Sequence, residues 1–502
     1  MKIFEEEKQE EGEGADKNER WRNKREYLIE EEGGREEKRK SGGKESKSRK
    51  EVCDNVASDS SFSRFFFMLS FFSKMKKKVF EFLRDAFLPE GYPSTVSEDY
   101  FDYQKYDTLQ AFCSTVVGVL ATRAILEGQG VGDKEALVRG AVANWIVKEG
   151  LSHVGRILFA YSKGTDLDAN SKTWRIAADV LNDLALFLEL ISPFFKNFFL
   201  LFFCLASLTR SVVGVAGGCT RTCLTAHQAI ANNISDVSAK DGNQEVGVNL
   251  AGLLFALFFL PAIDNNSFLL WALFFSLTFL HLFSNYKAVK SVIFHSFNRQ
   301  RASISLHSFF LLHSVPPPSE VNRREDLLFP FFSKDFILDN STKLSLGASW
   351  QQFHSLFTST CNSNSTCNSN STNSTNSTNS TNSTLQLLKS TLELFHNENY
   401  FLVHSKDSTH FAVCFKREAQ SIDIFKAFFH FALLRFQHKT KQMQNSNIKK
   451  TLNSSPTEIL SSSLQQVNLL FPKFQTLSKQ SGWDLSFHLL NASRKRIQIK
   501  SL

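Results

Sequence analysis

The densest set of side chains able to do chemistry lies between residues 220 and 245, in TRTCLTAHQAIANNISDVSAKDGNQE. It holds Arg221, His227, Asn232, Asn233, Asp236, Lys240, Asp241, Asn243 and Gln244. Arg221 and Lys240 are cations that can meet the phosphate of an anionic ligand. His227 with Asp236 or Asp241 has the make-up of a general acid–base pair, and Ser235, Ser238 and Cys223 lie close enough in sequence to serve as nucleophiles. Nothing in the spacing fixes the geometry of a triad, so no residue is assigned a catalytic role, and an isolated histidine is more often structural. A second group, Asp179, Asn182 and Asp183, offers two carboxylates and an amide, a set that can bind a hard cation. A solvated helix face explains the same spacing more simply. Cys219 and Cys223 are four apart, but no His or Cys pair beside them completes a zinc pattern. Small buried thiols are the simpler account of the cysteines, and no metal site is expected.

The elements that must position these residues are greasy. An apolar run at 194–208, extended by 213–218, precedes the polar block, and another at 246–261 follows it. Polar groups held between two such runs must be satisfied by water, a partner chain, a ligand or lipid headgroups. Gly214 and Gly218 form a small-xxx-small pair that permits close helix approach. After Pro261, the arms 248–262 and 268–283 are split by polar residues at 264–266 and read as two helices with a tight turn. Neither arm is a safe full span of about 20 residues, so a re-entrant hairpin, two short spans and a buried hairpin of a soluble protein all stay open. Upstream, 109–126 is an apolar helix of marginal spanning length, and 135–159 is a helix with Trp145, Ile146, Leu151 and Val154 on its apolar side. GQGVGD at 128–133 is a glycine-rich turn without the spacing of a dinucleotide loop, and GTDLD at 164–168 reads as a loop or cap. The helical period of 171–190 buries Ile176, Val180, Leu184 and Phe187 and leaves Asp179, Asn182 and Asp183 on the other side.

The chain has 502 residues and a formal net charge of +8. Mild basicity suits an anionic membrane surface. Nucleic acid is not expected as a partner, because aromatic residues are not interleaved with the basic runs as a single-strand platform needs. Lys287, Lys290, Arg299 and Arg301 follow the last apolar arm and would mark the cytoplasmic side. Residues 1–60 are rich in charge and poor in apolar groups and read as disordered. Their start is too charged for a secretory signal and too acidic for a transit sequence. The aromatic, basic stretch 61–88 reads as an amphipathic helix or interfacial anchor.

The organisation expected is therefore a disordered head at 1–60, a helical membrane-associated domain at 61–320, and an irregular region with an Asn-Ser-Thr low-complexity linker at 321–384. A small α+β domain at 385–439 follows, with two strands at 400–404 and 411–415 and a Phe-rich helix at 422–436, then a weakly ordered tail at 440–502. The fold class is mainly α: a helical multi-pass or membrane-embedded domain with a small C-terminal α+β region.

Several of these stretches together resemble a known family. FLPEGYPSTVSEDYFDYQKYDTLQAF (87–112), VGD (131–133), GTDLDANSKTWRIAADVLNDLALFLEL (164–190), VGVAGGCTRTCLTAHQAIANNISDVSAKDGNQE (213–245), HLFSNYKAVKSVIFHSFNRQRA (281–302) and EVNRRE (320–325) resemble the root UVB sensitive (RUS, DUF647) family over about 85–330. The 400–436 piece is similar to the family's C-terminal region. The resemblance implies a membrane-linked regulatory or transport-supporting role without an established reaction, tied in plants to seedling development, root UV-B response, auxin transport and vitamin B6 homeostasis. It implies membrane lipids and a second RUS-family protein as partners, a plastid or other organelle as location, and pyridoxal phosphate as the only named cofactor, by family association alone. Three readings follow: a membrane protein whose polar block binds a small ligand, a membrane scaffold for a homologous partner, and an enzyme using His227 and a nearby Asp.

Overall fold

The computed structural model describes residues 2–7, 77–129, 138–264, 266–328, 337–338, 342–362, 386–405, 407–444 and 456–500. The charged head lies outside these residues except for a strand, β1 (Lys2–Glu7). Most of the 61–88 anchor, the GQGVGD turn beyond Gln129 and most of the Asn-Ser-Thr tract lie outside them as well.

Long apolar runs become long helices. After α1 (77–87) come α2 (Tyr100–Gly128), α3 (Val138–Ala169), α4 (Ser171–Ile191), α5 (Phe199–Gln228), α6 (Ile234–Asp264) and α7 (Ser267–Ser291). Helix α2 packs along α7 and against α4 and α6, while α5 lies against both α3 and α4. Four of these, α2, α5 with its preceding turn, α6 and α7, are long and apolar enough to cross a membrane. The two arms after the polar block are not short. Helices α6 and α7 have 31 and 25 residues, about 46 and 37 Å at 1.5 Å per residue, against a hydrocarbon core of roughly 30 Å. The polar block itself supplies the end of α5 and the first turns of α6, which is why reading the apolar residues alone shortens the helices. Asn266 caps α7 by accepting the Leu269 N–H at 3.1 Å. GTDLD is not a loop: α3 runs through it to Ala169. The close helix approach falls at Gly155, where a Cβ would sit 2.4 Å from Ser211 Oγ, and not at Gly218, which has open space beside it.

Helix α4 buries Leu186 and Leu190 in the bundle core, but it also buries polar residues expected outside and exposes apolar ones expected inside. Val180 and Leu184 are each 46 % exposed, whereas Asp183 is 6 % and Glu189 2 % exposed. Ile176 is buried as expected, but Trp145, Ile146 and Val154 on α3 are exposed. A helix in water buries its apolar face; in a bundle bathed by hydrocarbon, polar groups turn to the interior.

The C-terminal region is larger than expected. Strand β2 (Ser296–Asn298), helices α8 (Arg299–Leu312) and α9 (Pro318–Arg324), β3 (Lys343–Leu346) and α10 (Trp350–Asn362) lead into α11 (386–394), β4 (Tyr400–His404), β5 (His410–Phe415) and α12 (Ser421–Gln444). Strands β4 and β5 pair antiparallel, and β3 adds in parallel to β5. The expected weakly ordered tail instead forms α13 (Pro456–Gln480), β6 (Asp484–Leu489) and β7 (Lys495–Lys500), with β6 parallel to β2. Phe471, Phe474 and Trp483 enter the same core as Phe297, Phe309 and Phe425, and the Phe297 and Trp483 rings stack at 4.1 Å. Scattered apolar residues in a polar tail thus help close a core that also takes in Phe297 and Phe309, more than a hundred residues earlier.

A buried ion network joins α4 to this region. Lys172 Nζ donates to Glu325 Oε2 at 2.8 Å and to Asn322 Oδ1 at 2.6 Å. Arg301 Nη1 donates to Glu325 Oε1 at 2.8 Å, and its Nε donates to the Ser296 carbonyl. All three charged side chains are 3–4 % exposed. Burial alone would raise the Glu325 carboxyl, but the charges and hydrogen bonds of Lys172 and Arg301 hold it below its ordinary value. Three of the four cations expected to mark a membrane face have other duties: Arg301 sits in this network, Arg299 donates to the Leu490 and Asn491 carbonyls, and Lys290 donates to that of Arg323.

Glu325→Ala leaves two buried cations without a counter-charge and is expected to cost about 3–5 kcal/mol, read as a lowered unfolding midpoint in detergent. Replacing Lys172, Arg301 and Glu325 together by apolar residues of similar size should recover a large part of that loss. A carboxyl whose folded-state pKa is depressed contributes stability that is present above its unfolded value and lost as pH falls through the folded one. The wild-type midpoint should therefore drop on acidification more steeply than that of the triple variant.

Candidate functional site

The polar block does not form one open cleft. Its α6 half clasps the chain end of α1. A helix leaves its last carbonyls without partners, and here side chains from α6 supply donors: Lys240 to the Asp85 carbonyl, Asn243 to that of Ala86 at 2.9 Å and Gln244 to that of Phe87 at 2.5 Å. Asp236 Oδ2 accepts the Glu90 N–H at 2.7 Å. The Lys240 charge also suits the negative end of the helix dipole. Asn232 occupies the left-handed region, with φ of 56°, in the turn between α5 and α6, a conformation that Asn tolerates. Asn233 offers its carbonyl to Val237 N–H at the start of α6.

The remaining members of the block bind helices together. Arg221 on α5 donates through Nε to Asp241 Oδ2 at 2.6 Å and pairs with Glu245, while Gln104 on α2 donates to Asp241 Oδ1 at 3.0 Å. His227 does not pair with Asp236 or Asp241. Its Nε2 lies 2.9 Å from Asp99 Oδ2, which also accepts the Ile293 N–H at 2.7 Å. Ser97 donates to the other oxygen of Asp99. The carboxylate therefore stands between the imidazole and the hydroxyl, whereas a nucleophilic relay needs the imidazole in the middle. Burial raises the Asp99 carboxyl, but the hydrogen bond and charge of His227, with the Ser97 and Ile293 donors, bring it below its ordinary value. The Cys223 thiol donates to Asp168 at 3.3 Å.

The second sequence group lies inside the bundle, not on a solvated face. Three helices turn polar stripes toward each other: Tyr103, Asp107, Gln110 and Ser114 on α2; Arg175, Asp179, Asn182 and Asp183 on α4; His281, Ser284 and Asn285 on α7. Asp107 Oδ1 accepts from Tyr103 at 3.1 Å, Gln110 at 2.6 Å and Arg175 at 2.9 Å. Asn182 donates to Ser114 at 3.2 Å, and His281 Nδ1 lies 2.8 Å from Asp183 Oδ2. Each stripe recurs every three or four residues, the spacing of one helix face. Sequence reasoning found Asp179, Asn182 and Asp183 but missed Asp107, Arg175 and His281. Their signal was polar residues at that spacing inside apolar helices. Among the described residues no group of three or more His, Cys, Asp and Glu suits a metal ion.

A cavity of about 530 Å³ opens beside the clasp, lined by Arg84, Asp85, Glu90, Tyr92, Asp236 and Lys240 among others. Lys240 is there but Arg221 is not, so the two cations expected to share a phosphate are apart. Its wall carries three carboxylates against two cations, a formal balance that does not favour an anion.

Substituting Lys240→Met and Gln244→Leu together removes two of the donors to the α1 carbonyls, each bond being worth about 1 kcal/mol. Hydrogen exchange across residues 85–91 should accelerate while the amides of α4 keep their protection. Unchanged exchange there would show that the clasp does not hold this segment.

Residues 73–312 match the family model described as the vitamin B6 photo-protection and homoeostasis domain, and residues 314–499 match root UVB sensitive protein, C-terminal. The ion network crosses that boundary, with Lys172 and Arg301 in the first region and Glu325 in the second. RUS family member 1 of Dictyostelium discoideum is 46% identical over 268 residues, 52% of this chain and 51% of that protein. Protein root UVB sensitive 3 of Arabidopsis thaliana is 38% identical over 259 residues, 52% of this chain and 59% of that protein. Protein root UVB sensitive 6 of the same plant is 29% identical over 428 residues, 84% and 78% of the two chains. The chain thus spans about half the length of the first two relatives. No solved structure matches it. With both regions matched in order along nearly all of the described helical and α+β parts, the chain belongs to the root UVB sensitive family.

Proposed function

We propose that this protein is a membrane-embedded, non-enzymatic member of its family with a regulatory or transport-supporting role linked to vitamin B6 homeostasis. The observation that carries the reading is the polar seam among α2, α4 and α7, enclosed by helices whose apolar faces point outward. Ionisable groups at membrane depth are costly and tend to mark function. The description of the matched 73–312 domain supports the vitamin link. The membrane in this reading belongs to an organelle, a plastid being one candidate by family. Pyridoxal phosphate is not favoured as a resident ligand, since the cavity's formal charge balance does not favour its phosphate. The enzyme reading loses its support with the His227 pairing.

A scaffold role for a homologous partner is favoured by one observation. Helix α3 exposes Trp145, Ile146, Ile157, Leu158 and Tyr161, yet Arg139, Lys148, Glu149, Arg156 and Lys163 share the helix, and it is not among the candidate spans. That mixture suits a protein surface better than lipid.

The protein should stay in the membrane pellet through carbonate washing and leave it only with detergent. Deleting it should shift the cellular pool of B6 vitamers, and re-expression should restore the pool. Vitamer pools that ignore both manipulations would defeat the homeostasis link. For the scaffold role, Trp145→Ala with Tyr161→Ala should weaken co-purification of a second RUS-family protein by several-fold; full recovery of the partner would count against it.

A further inference from the structure

The seam carries more negative charge than its own cations can balance. Asp107, Asp179 and Asp183 face one guanidinium, Arg175, and one imidazole, His281. Even with His281 doubly protonated, three negative charges meet two positive ones. Asp107 and Asp183 have donors, as described above. Asp179 Oδ2 is buried and, among the described residues, receives no hydrogen bond.

A second observation is independent of the carboxylates. Gln110 Oε1 and Asn285 Oδ1 are buried acceptors without a donor, and the Ser284 hydroxyl is also unpartnered. Gln110 and Asn285 are 4 % and 1 % exposed. Both amides are held in the seam by their nitrogen ends, Gln110 on Asp107 and Asn285 on the Arg175 carbonyl. The seam thus holds buried acceptors that lack a hydrogen-bond donor, together with a carboxylate oxygen that lacks one as well. A buried carboxylate with an excess of negative charge around it and no donor neutralises itself by taking up a proton, which also gives the seam one more donor.

We propose that the seam among α2, α4 and α7 is a proton-binding site in which Asp179 takes up the proton. The proton comes from water and adds to Asp179 Oδ2; no heavy-atom bond changes. The titratable and charged groups facing Asp179 are Tyr103 and Asp107 on α2, Arg175 and Asp183 on α4, and His281 on α7, with Cys113 near Asp183. Helix α5, packed on α4, brings Arg210, which is bound to Glu189. The site goes beyond the vitamin B6 reading and does not need it, and its test reads protonation alone.

The full chain in detergent or in nanodiscs of zwitterionic lipid is examined by infrared spectroscopy near neutral pH, where exposed carboxylates are ionised. Wild type should show the carbonyl stretch of a protonated carboxyl. Asp179→Asn should lose that band, and Asp179→Glu, which keeps a carboxyl, should show it at a shifted frequency. The absence of the band from wild type, or its survival in Asp179→Asn, overturns the proposal. The thermal midpoint supplies a second readout. A folded state that binds a proton the unfolded chain releases loses stability as pH rises, so the wild-type midpoint should fall on alkalinisation, and that of Asp179→Asn, in which His281 still pairs with Asp183, should fall less steeply. Parallel curves, or stabilisation by Na⁺ or K⁺ in a wild type without the band, also overturn it.

Discussion

The structure depends on which way polar surface must turn when the surroundings are hydrocarbon. In water, α4 would bury Val180 and Leu184 and leave Asp179 and Asp183 outside. Here both apolar side chains are half exposed and Asp183 is buried against His281. Once that inversion is granted, the neighbours follow. Helices α2 and α7 must answer with donors and acceptors of their own, which Asp107, Ser114, His281 and Asn285 provide. Phe258, Phe268, Phe275 and Phe279, meanwhile, lie on the outside of α6 and α7.

Polar side chains also set how the bundle ends. Where α7 gives way to β2, Asp99 ties the start of α2, the end of α5 and the Ile293 backbone together through one carboxylate. Beside it, Lys172, Arg301 and Glu325 close a buried network whose three charges need each other, because removing one leaves the rest uncompensated. Phe294 lies under both cations, 5.5 Å from Lys172 Nζ and 5.1 Å from the Arg301 guanidinium carbon. The α+β region is thereby tied to the bundle by a buried ion network.

The block that draws the eye in the sequence makes many of its hydrogen bonds within the molecule. Lys240, Asn243 and Gln244 face carbonyls that the last turn of α1 cannot satisfy within itself. Arg221 and Asp241 hold α5 to α6 with Gln104 of α2. Hydrogen-bonding capacity of this density arises wherever helix ends meet inside a molecule, and here the backbone takes most of it up.

Composition and period alone determined that the chain is mainly helical, that several helices are greasy enough to lie in a membrane, and that strands stand at 400–404 and near 411–415. Those follow from local spacing and from residue types that suit one kind of solvent. The sequence also singled out Asp179, Asn182 and Asp183, because their spacing places them on one side of a helix. Only the tertiary structure decided which side that is. The period of α4 reads the same whether its surroundings are water or lipid, so the polar face was expected outward until Asp107, Ser114 and His281 were seen opposite it. The same holds for His227, whose true partner Asp99 lies more than a hundred residues away, and for the tail, whose sparse apolar residues become a core only when Phe297 and Phe425 stand beside Phe474 and Trp483. Spacing along one helix reports a face; the identity of what covers that face is a property of the other helices, and no local pattern contains it.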